Sequence, residues 1–401
     1  MKILILHQND FKRYDYHIAI DHKIHNITYA GYIEHISTIP EDLDCEKIIL
    51  EPQKELLNQL RDLMYNRDPF DKIITRSETM ILPASILRDE FSISGMLPNV
   101  AINFRDKVRM KKTLEDSGIR VPRFYPVKEK EETVQWNGKT VLKPIDGLGS
   151  QGIMLFNSYS QAKSFVARQK KLDRMKYIDF FEYEEYIEGE IWHIDGFLYN
   201  KKIITIQSSF YIGTCLSYQI NGTPLGSVQK NNSDLEAWVL KCLLLLGAKT
   251  MTFHMEAIMT KDGPVFLEVA ARCGGGYIAD VFKLKHGIFL HHLDMATDVE
   301  GTLAKRFNCK KESVNMFGFF LFPGHIYNES FCNIFMDSFI IEKDKFIEYS
   351  ILPPNIKTSK KATYKPNLLP FAGIVSGINS QMNAEIINSL IKNVSIKPIN
   401  S

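Results

Sequence analysis

The feature that most constrains the fold is a strand, a glycine-rich loop and a second strand in direct succession. Residues 140–145 and 153–156 are apolar runs, and residues 146–152 between them read Asp-Gly-Leu-Gly-Ser-Gln-Gly. Backbone N–H groups of such a loop can approach phosphate oxygens because glycine has no Cβ. A dinucleotide-binding fold requires a helix directly after the loop, whereas residues 153–156 have the composition of a strand. The pattern favours a β-hairpin flap over the phosphates of a nucleotide, with an ordinary glycine-rich hairpin as the alternative.

Lys143 lies in the first of these strands, on the face that parity also assigns to Val141 and Ile145. A lysine on an apolar face requires a counter-charge, and a bound phosphate would supply it. The alternative is a lysine at a strand edge that reaches solvent. No G-x-x-x-x-G-K-[ST] motif occurs, so the phosphate site would be of another kind.

A later hairpin, predicted at Asp262-Gly263, carries two acidic residues. Glu256 and Glu268 lie six residues to either side of Asp262, so hairpin pairing places them opposite each other. Two like charges at opposed positions repel. A magnesium ion coordinated by both carboxylates would remove the repulsion. The alternative is a slip of strand register that separates the two acids.

The same parity places His254 beside Glu256 and Arg272 beside Glu268. Arg272 precedes three glycines at 274–276, where a guanidinium would stabilise charge developing during phosphoryl transfer. The alternatives are a surface ion pair between Arg272 and Glu268 and a core histidine at His254. Upstream, residues 181–190 alternate acidic with apolar side chains, which by itself is also typical of an edge strand with one solvated face.

Three parts of the chain are predicted around these motifs, with a mixed α/β and α+β fold. Residues 1–97 alternate strands with amphipathic stretches, a βαβ signature that predicts a small parallel sheet. Residues 98–183 contain a helix that follows Asp106 and ends at Gly118, and then the glycine loop. Residues 184–401 form antiparallel sheet. The individual predicted elements are strands at 2–6, 47–50, 72–75, 316–322 and 346–351, helices at 54–65, 107–117 and 383–392, and a further hairpin at Asn200-Lys201.

Composition excludes several classes of protein. Lys and Arg total 49 against 47 Asp and Glu, so there is no long-range field of the kind that nucleic-acid binders use. No apolar run approaches ~18 residues, the length of a membrane span, and the apolar start is too short for a signal peptide. The six cysteines form no Cys-x-x-Cys pair, which argues against a disulfide scaffold or zinc site. A cytoplasmic protein with reduced thiols is expected.

Taken in order, the motifs resemble the ATP-grasp superfamily, in particular its carboxylate–amine ligases of the bacterial L-amino-acid ligase and carnosine-synthase type. The resemblance covers roughly residues 73–301, and its matching segments are 105–111, 141–152, 184–190, 193–196, 253–256 and 267–275. It implies an ATP-grasp fold in which an N-terminal βαβ domain precedes antiparallel sheets that clasp the nucleotide. Each segment is weak alone, but their order and spacing together are specific.

The resemblance also implies roles for individual residues. Those that would bind ATP are Lys107, Lys143, Gly147, Gly149, Ser150, Gly152, Glu184, Tyr186, Ile187 and Glu190. The two lysines would contact the α- and β-phosphates, the loop would close over the β- and γ-phosphates, residues 184–187 would form the adenine hinge, and Glu190 would bind the ribose.

The remaining implied roles concern the metal and the transferred group. Glu256 and Glu268 would hold Mg²⁺ or Mn²⁺, Arg272 would sit near the transferred phosphate, and His254 is the second catalytic candidate. Two positions depart from the common pattern. Ala270 replaces an asparagine that many members use as a metal ligand, although the Ala-Ala-Arg sequence resembles the amino-acid ligase branch. Cys273 stands where relatives often have proline.

The reaction implied is transfer of the γ-phosphoryl group of ATP to a small carboxylate, followed by attack of an amine and release of ADP and phosphate. Its partners would be small molecules, with no nucleic acid and no membrane, and a homodimer is expected by analogy with relatives. A carboxylase or thiol-forming ligase is one alternative, since these enzymes use the same nucleotide site. A nucleotide-binding module without turnover is the other, and the presence of both acids, both lysines and Arg272 argues against it.

Overall fold

The computed structural model describes residues 1–129, 134–308, 311–336 and 345–399. Cys309 lies outside these ranges, and the other five cysteines are free thiols. Within the described residues, no helix combines the length and the apolar character needed to cross a bilayer.

The chain begins with a four-stranded parallel sheet in the order β3-β2-β1-β4. Its elements are β1 (Lys2–Leu6), α1 (Tyr16–Ala19), β2 (Asn26–Gly31), α2 (Ile33–Ile36), β3 (Glu46–Ile49), α3 (Leu56–Tyr65), β4 (Lys72–Thr75), α4 (Ile81–Glu90) and α5 (Pro98–Ala101). β1 is buried on both faces from Ile3 onward, as parallel strands covered on both sides are. The predicted parallel sheet is confirmed, and β3 begins one residue before its predicted start.

A four-stranded antiparallel sheet follows, called here the small sheet, in the order β5-β8-β6-β7. Its elements are α6 (Lys107–Glu115), β5 (Phe124–Pro126), β6 (Thr140–Pro144), β7 (Met154–Phe156), α7 (Tyr159–Lys171) and β8 (Phe181–Glu185). Asp106 caps α6 by accepting the N–H of Arg109 at 2.9 Å. β6 and β7 flank the glycine loop as an antiparallel hairpin, as predicted. The edge-strand alternative for residues 181–190 is wrong, because β8 lies between β5 and β6.

The rest of the chain builds one eight-stranded antiparallel sheet, the large sheet, in the order β13-β12-β9-β10-β11-β14-β17-β16, and a separate β15-β18 pair. The strands are β9 (Glu190–Tyr199), β10 (Lys202–Ile212), β11 (Leu225–Gln229), β12 (Met251–Thr260), β13 (Gly263–Ala270), β14 (Met316–Phe322), β15 (Cys332–Phe335), β16 (Phe346–Ile351), β17 (Phe371–Gly377) and β18 (Ser395–Pro398). The helices are α8 (Cys215–Asn221), α9 (Asp234–Leu245), α10 (Ile278–His286), α11 (Leu290–Glu300) and α12 (Ser380–Asn393). Both predicted hairpins and both predicted C-terminal strands are confirmed, and β14, β17 and β16 extend the sheet that carries the two acids.

The parallel sheet packs directly against the large-sheet region. Ile3 and Ile5 share one hydrophobic core with Leu293 of α11. Arg76, just after β4, forms a buried ion pair with Asp294 of α11 at 2.6 Å. Removing one partner of such a buried pair is strongly destabilising, so these contacts fix the carboxyl ends of β1 and β4 against the large sheet. Ligands of open α/β sheets bind at that edge.

Candidate active site

A cavity of about 430 Å³ lies where the parallel, small and large sheets meet. This volume is in the range of small-molecule sites. The predicted site residues that line it are Lys107, Gly149, Ser150, His254, Glu256, Glu268 and Arg272. The structure therefore brings together both predicted metal ligands, both catalytic candidates, one lysine and the tip of the glycine loop.

Glu256 and Glu268 are opposed across the β12-β13 hairpin, and a β-bulge puts them there. The turn pairs Thr260 with Gly263, and an unbroken ladder from that pair would place Leu267 opposite Glu256. The register shifts by one residue between Glu256 and Ala257, which restores the Glu256–Glu268 pair. The predicted opposition is confirmed and the register-slip alternative is wrong, although the symmetric count of residues ignored the bulge.

Glu256 is held by two donors. Tyr211 donates its hydroxyl proton to Glu256 Oε1 at 3.1 Å, and His254 Nε2 lies 3.5 Å from the same oxygen. Burial by itself raises the pKa of Glu256, but the hydrogen bond and charge of His254 outweigh burial and lower it. The carboxylate is therefore ionised and fixed in orientation inside the cavity.

His254 is fixed in turn by Asp195, a residue in the matching segment 193–196. His254 donates from Nδ1 to one Asp195 oxygen at 2.8 Å, and His193 donates to the other at 2.6 Å. Burial lowers the pKa of His254, but Asp195 outweighs burial and raises it to about 10. These three side chains lie close enough to hold a cation, yet hydrogen bonds already account for their facing atoms. His254 lines the cavity as a protonated group with both nitrogens engaged by carboxylates.

Lys107 joins the second acid to the glycine loop. Its ammonium group lies 3.3 Å from Glu268 Oε2 and donates to the carbonyl oxygen of Gly147 at 2.5 Å. Gly149 and Ser150 both adopt φ of 58°, a left-handed conformation that glycine adopts without strain. The ammonium group of Lys107 thus lies between the glycine loop and a candidate metal ligand.

Lys143 is buried and does not line the cavity; the strand-edge alternative is wrong. It donates to Glu184 at 2.8 Å, while Lys111 donates to Glu182 at 2.8 Å and also contacts Glu184. The four side chains form a buried quartet of two cations and two anions. Burial raises the pKa of Glu182, whereas at Glu184 the two lysines outweigh burial and lower it. The counter-charge that the sequence assigned to a phosphate is supplied here by two carboxylates.

Arg272 does not form the surface ion pair with Glu268 that was the alternative. Its Nε donates to Glu78 Oε2 at 2.7 Å, and its Nη1 donates to the carbonyl oxygen of Cys273 at 2.7 Å. Arg105 contacts the other Glu78 oxygen. Burial raises the pKa of Glu78, but the charges of Arg272 and Arg105 outweigh burial and lower it. Sequence reasoning missed Glu78; its position just after β4, at the carboxyl edge of a parallel sheet, was the available signal.

Comparison with known proteins matches one segment of the chain to a family and the whole chain to a fold. Residues 137–280 match the family described as the ATP-grasp domain. The fold matches the L-amino acid ligase of Bacillus licheniformis with a TM-score of 0.73 at 15% identity, over 100% of this chain and 99% of that one. The chain has the ATP-grasp fold. Phosphoribosylglycinamide synthetase of Anaerococcus prevotii shares the fold with a TM-score of 0.69 at 15% identity, over 99% of both chains.

Two curated proteins are similar in sequence. The chain is 24% identical over 277 residues to the L-arginine-specific L-amino acid ligase of Bacillus subtilis, covering 65% of this chain and 63% of that protein. It is 27% identical over 229 residues to dapdiamide A synthase of Enterobacter agglomerans, covering 51% of each. The chain therefore spans between half and two thirds of the length of these relatives.

The segment that the ATP-grasp resemblance assigns to adenine and ribose lies outside the cavity. Tyr186 is exposed, with the Lys139 ammonium group 5.2 Å from its ring centre. Ile187 lines a second cavity together with Arg120 and Arg123. Glu190 is exposed and accepts the indole N–H of Trp192. These residues follow β8 in sequence, and the structure does not gather them with the paired acids. Gly147 and Gly152 likewise belong to the loop but do not line the cavity.

A segment near the C-terminus completes the cavity wall, and no sequence motif marked it. Tyr364 stacks on Tyr218 with ring centres 5.0 Å apart, and Tyr218 donates to the carbonyl oxygen of Thr363 at 2.6 Å. A Cβ added at Gly149 would lie 3.3 Å from the Tyr364 ring. This strap, residues 362–365, therefore packs against the glycine loop.

Proposed function

We propose that this chain is an ATP-dependent ligase that activates a small carboxylic acid or amino acid as an acyl phosphate and joins it to an amine. A carboxylate oxygen attacks the γ-phosphorus of ATP and the bond to ADP breaks; the amine nitrogen then attacks the acyl carbon, phosphate leaves and the nitrogen loses a proton. The opposed pair Glu256 and Glu268, with Lys107 and Arg272 around the same cavity, is the observation that carries the proposal.

The donor set supports a magnesium site, which Mn²⁺ would also fit. Two carboxylates face each other on one hairpin, and hard oxygen donors suit these ions. Bound there, Mg²⁺ would neutralise charge on the phosphates of the nucleotide. Ala270 is paired with His254 in the hairpin, so the position that often carries an asparagine ligand offers no side-chain oxygen. Glu256 and Glu268 are the protein ligands we propose.

We assign the nucleotide to the glycine-loop end of the small sheet, which Lys107 connects to Glu268. We assign its adenine to the hinge at residues 184–187, including Glu184, Tyr186 and Ile187, and its ribose to Glu190. We assign its phosphates to Lys107 and Lys143 and to the loop residues Gly147, Gly149, Ser150 and Gly152. Lys107 supports this best, because it contacts both Glu268 and the loop. We divide the chain into three domains for this function, residues 1–97, 98–183 and 184–401.

Catalysis by these residues would be electrostatic and positional. Arg272 would stabilise charge on the transferred phosphoryl group, a contribution that pre-oriented donors make in a site shielded from water. His254 would act on Glu256, the carboxylate it already contacts. The strap and the glycine loop would shield the acyl phosphate from water.

Two further expectations belong to this proposal. The five described cysteines are free thiols, which supports a reducing compartment such as the cytoplasm. The biotin carboxylase domain of Hydrogenobacter thermophilus, solved as a dimer with MgADP, shares the fold with a TM-score of 0.65 at 13% identity, over 100% of this chain and 91% of that one. This likeness supports a homodimer as the assembly to test.

The test is ADP release from ATP across a matrix of carboxylic acids and amines, with bicarbonate and thiols as additional arms. We expect turnover that requires an acid, an amine and Mg²⁺. Glu268→Ala should reduce it by roughly 100-fold or more, since a metal ion supplies several kcal/mol to such a transition state. Asp262→Ala, an exposed acid in the turn of the same hairpin, is the matched control. Turnover with bicarbonate or thiol in place of amine, or none with any pair, would contradict the proposal.

A further inference from the structure

Six polar side chains on one face of the large sheet form a connected set, called here the polar network. Its members are Ser227, His193, Asp195, His254, Glu256 and Tyr211. In the register of β9 with β12, His193 lies opposite Glu256. Asp195 lies opposite His254, two residues away along each strand. Alternate residues of a strand share a face, so these four side chains lie side by side. Only two members, Glu256 and His254, have a role in the proposed reaction.

Asp195 is the centre of the polar network. Its side chain is only 2% exposed. Its Oδ2 accepts from His193 Nδ1 at 2.6 Å, and its Oδ1 accepts from His254 Nδ1 at 2.8 Å. His193 is held from its other side as well, because its Nε2 lies 2.7 Å from the Ser227 hydroxyl. An ionised carboxylate only accepts hydrogen bonds, so Asp195 cannot bond to Glu256 directly and reaches it through His254.

The contacts of Glu256 converge on one of its two oxygens. Tyr211 donates to Oε1 at 3.1 Å, and Oε1 is also the oxygen nearest to His254 Nε2, at 3.5 Å. Both donors therefore hold the same side of the carboxylate, which leaves Oε2 for a cation. Two donors on one oxygen also restrict rotation of the carboxylate. The orientation of His254 depends in turn on Asp195, which holds the other nitrogen of its ring.

We infer that Asp195 is a positioning residue for the magnesium site: through His254 it fixes the orientation in which Glu256 offers its free oxygen to the ion. The inference rests on the proposed ligase activity and its two proposed metal ligands. Groups that orient a metal ligand from behind typically contribute roughly 10- to 100-fold to metal affinity. Asp195 touches neither the substrates nor the reacting atoms. Its replacement should therefore weaken binding of the ion and leave the chemical step at saturating Mg²⁺ largely intact.

The experiment measures Mn²⁺ binding by electron paramagnetic resonance, with ADP present, and the Mg²⁺ dependence of ADP release. Asp195→Asn keeps the shape of the side chain but can accept from only one histidine. We expect it to raise the Kd for Mn²⁺ about tenfold or more, with kcat largely recovered at high Mg²⁺ and the KM for the amine unchanged. The matched control is Asp294→Asn, which removes a similarly buried carboxylate paired with Arg76. This control should lower stability without shifting the metal dependence.

A second variant, His254→Gln, breaks the same link from the other side and retains Asp195. It should raise the Kd for Mn²⁺ by a similar factor, and Asp195→Asn added to it should have no further effect, as expected for residues that act in one network. Additive effects, or an unchanged Kd in either folded variant, would overturn the inference. A loss of kcat that Mg²⁺ does not recover would show that Asp195 has only a structural role. The Mn²⁺ titration requires no turnover, so absence of ADP release in wild type, which contradicts the ligase proposal, is a separate outcome.

Discussion

Glu78 is the residue whose substitution tests the architecture of the site most directly. It is only 10% exposed and joins two arginines, Arg272 through one oxygen and Arg105 through the other. Glu78→Gln keeps the shape of the side chain but removes its charge and turns an N–H₂ group towards one guanidinium. Because Glu78 contacts the arginines and not the reacting groups, it is a positioning residue, and its effect should reach the reaction through Arg272.

The magnitude follows from the bonds that are lost. A hydrogen bond to a charged group contributes about 1.5–3 kcal/mol, and the amide can replace the carboxylate towards one arginine only. A net loss of about 3 kcal/mol corresponds to roughly 100-fold in kcat/KM. We expect the loss mainly in kcat, with a small change in the KM for ATP, and partial recovery in Glu78→Asp.

The assay is steady-state ADP release with the best acid and amine pair, together with a urea unfolding curve for each variant. Glu90→Gln is the matched control. Glu90 also pairs with an arginine, Arg61, in the same N-terminal part of the chain, but both side chains are about one third exposed. Such pairs contribute about 1 kcal/mol or less. A kcat/KM for Glu78→Gln within threefold of wild type, in a folded protein, would refute the positioning role.

Two further predictions concern stability. Lys111→Met should lower the free energy of unfolding by about 3–5 kcal/mol, because it leaves Glu182 and Glu184 with one cation in a fully buried site. Urea unfolding measures this loss. A loss below about 1 kcal/mol, or one equal to that of Lys112→Met at an exposed lysine, would contradict the buried quartet. Burial raises the pKa of Asp280 to about 6, so ionisation of this carboxyl lowers the free energy of unfolding as the pH rises from about 4 to about 6. Asp280→Asn removes that cost, so it should stabilise the protein above pH 6 by up to about 3 kcal/mol and have little effect below pH 4. Unfolding curves at pH 4 and pH 7.5 measure the difference, and equal effects at both values would be inconsistent with it.

Local patterns predicted most of the fold. β1, β4, β14 and β16 have the predicted bounds, because continuous apolar runs that end in polar or glycine residues mark strands strongly. Helix ends could also be predicted where a capping residue is present, as Asp106 is at the start of α6. The first residues of α12 were missed, since the signal is Asn379, whose side chain accepts the N–H of Met382.

The site was predictable only where it depends on parity along one hairpin. Glu256, Glu268 and His254 are placed by alternation, which the sequence contains. Glu78 and Arg272 are nearly two hundred residues apart in the sequence. Their contact is created by tertiary packing, and the local periodicity of the sequence contains no information about it. Lys143 shows the same limit. Its apolar neighbours predicted that it requires a counter-charge, but the sequence did not indicate that Glu184 supplies it.

The bulge at Leu267 determines which changes in length the β12-β13 hairpin can accept without separating its two acids. Because opposite positions in an antiparallel pair share a face, a shift by one residue turns a side chain to the other side of the sheet. Deleting Leu267 would remove the bulge and leave Glu268 facing Glu256. Deleting any one residue from 257–260 would instead pair Glu268 with Met255 and turn it away from the cavity. In related sequences, single-residue gaps between the two acids should therefore fall within residues 263–267, where loss of one residue takes up the bulge, and not within residues 257–260.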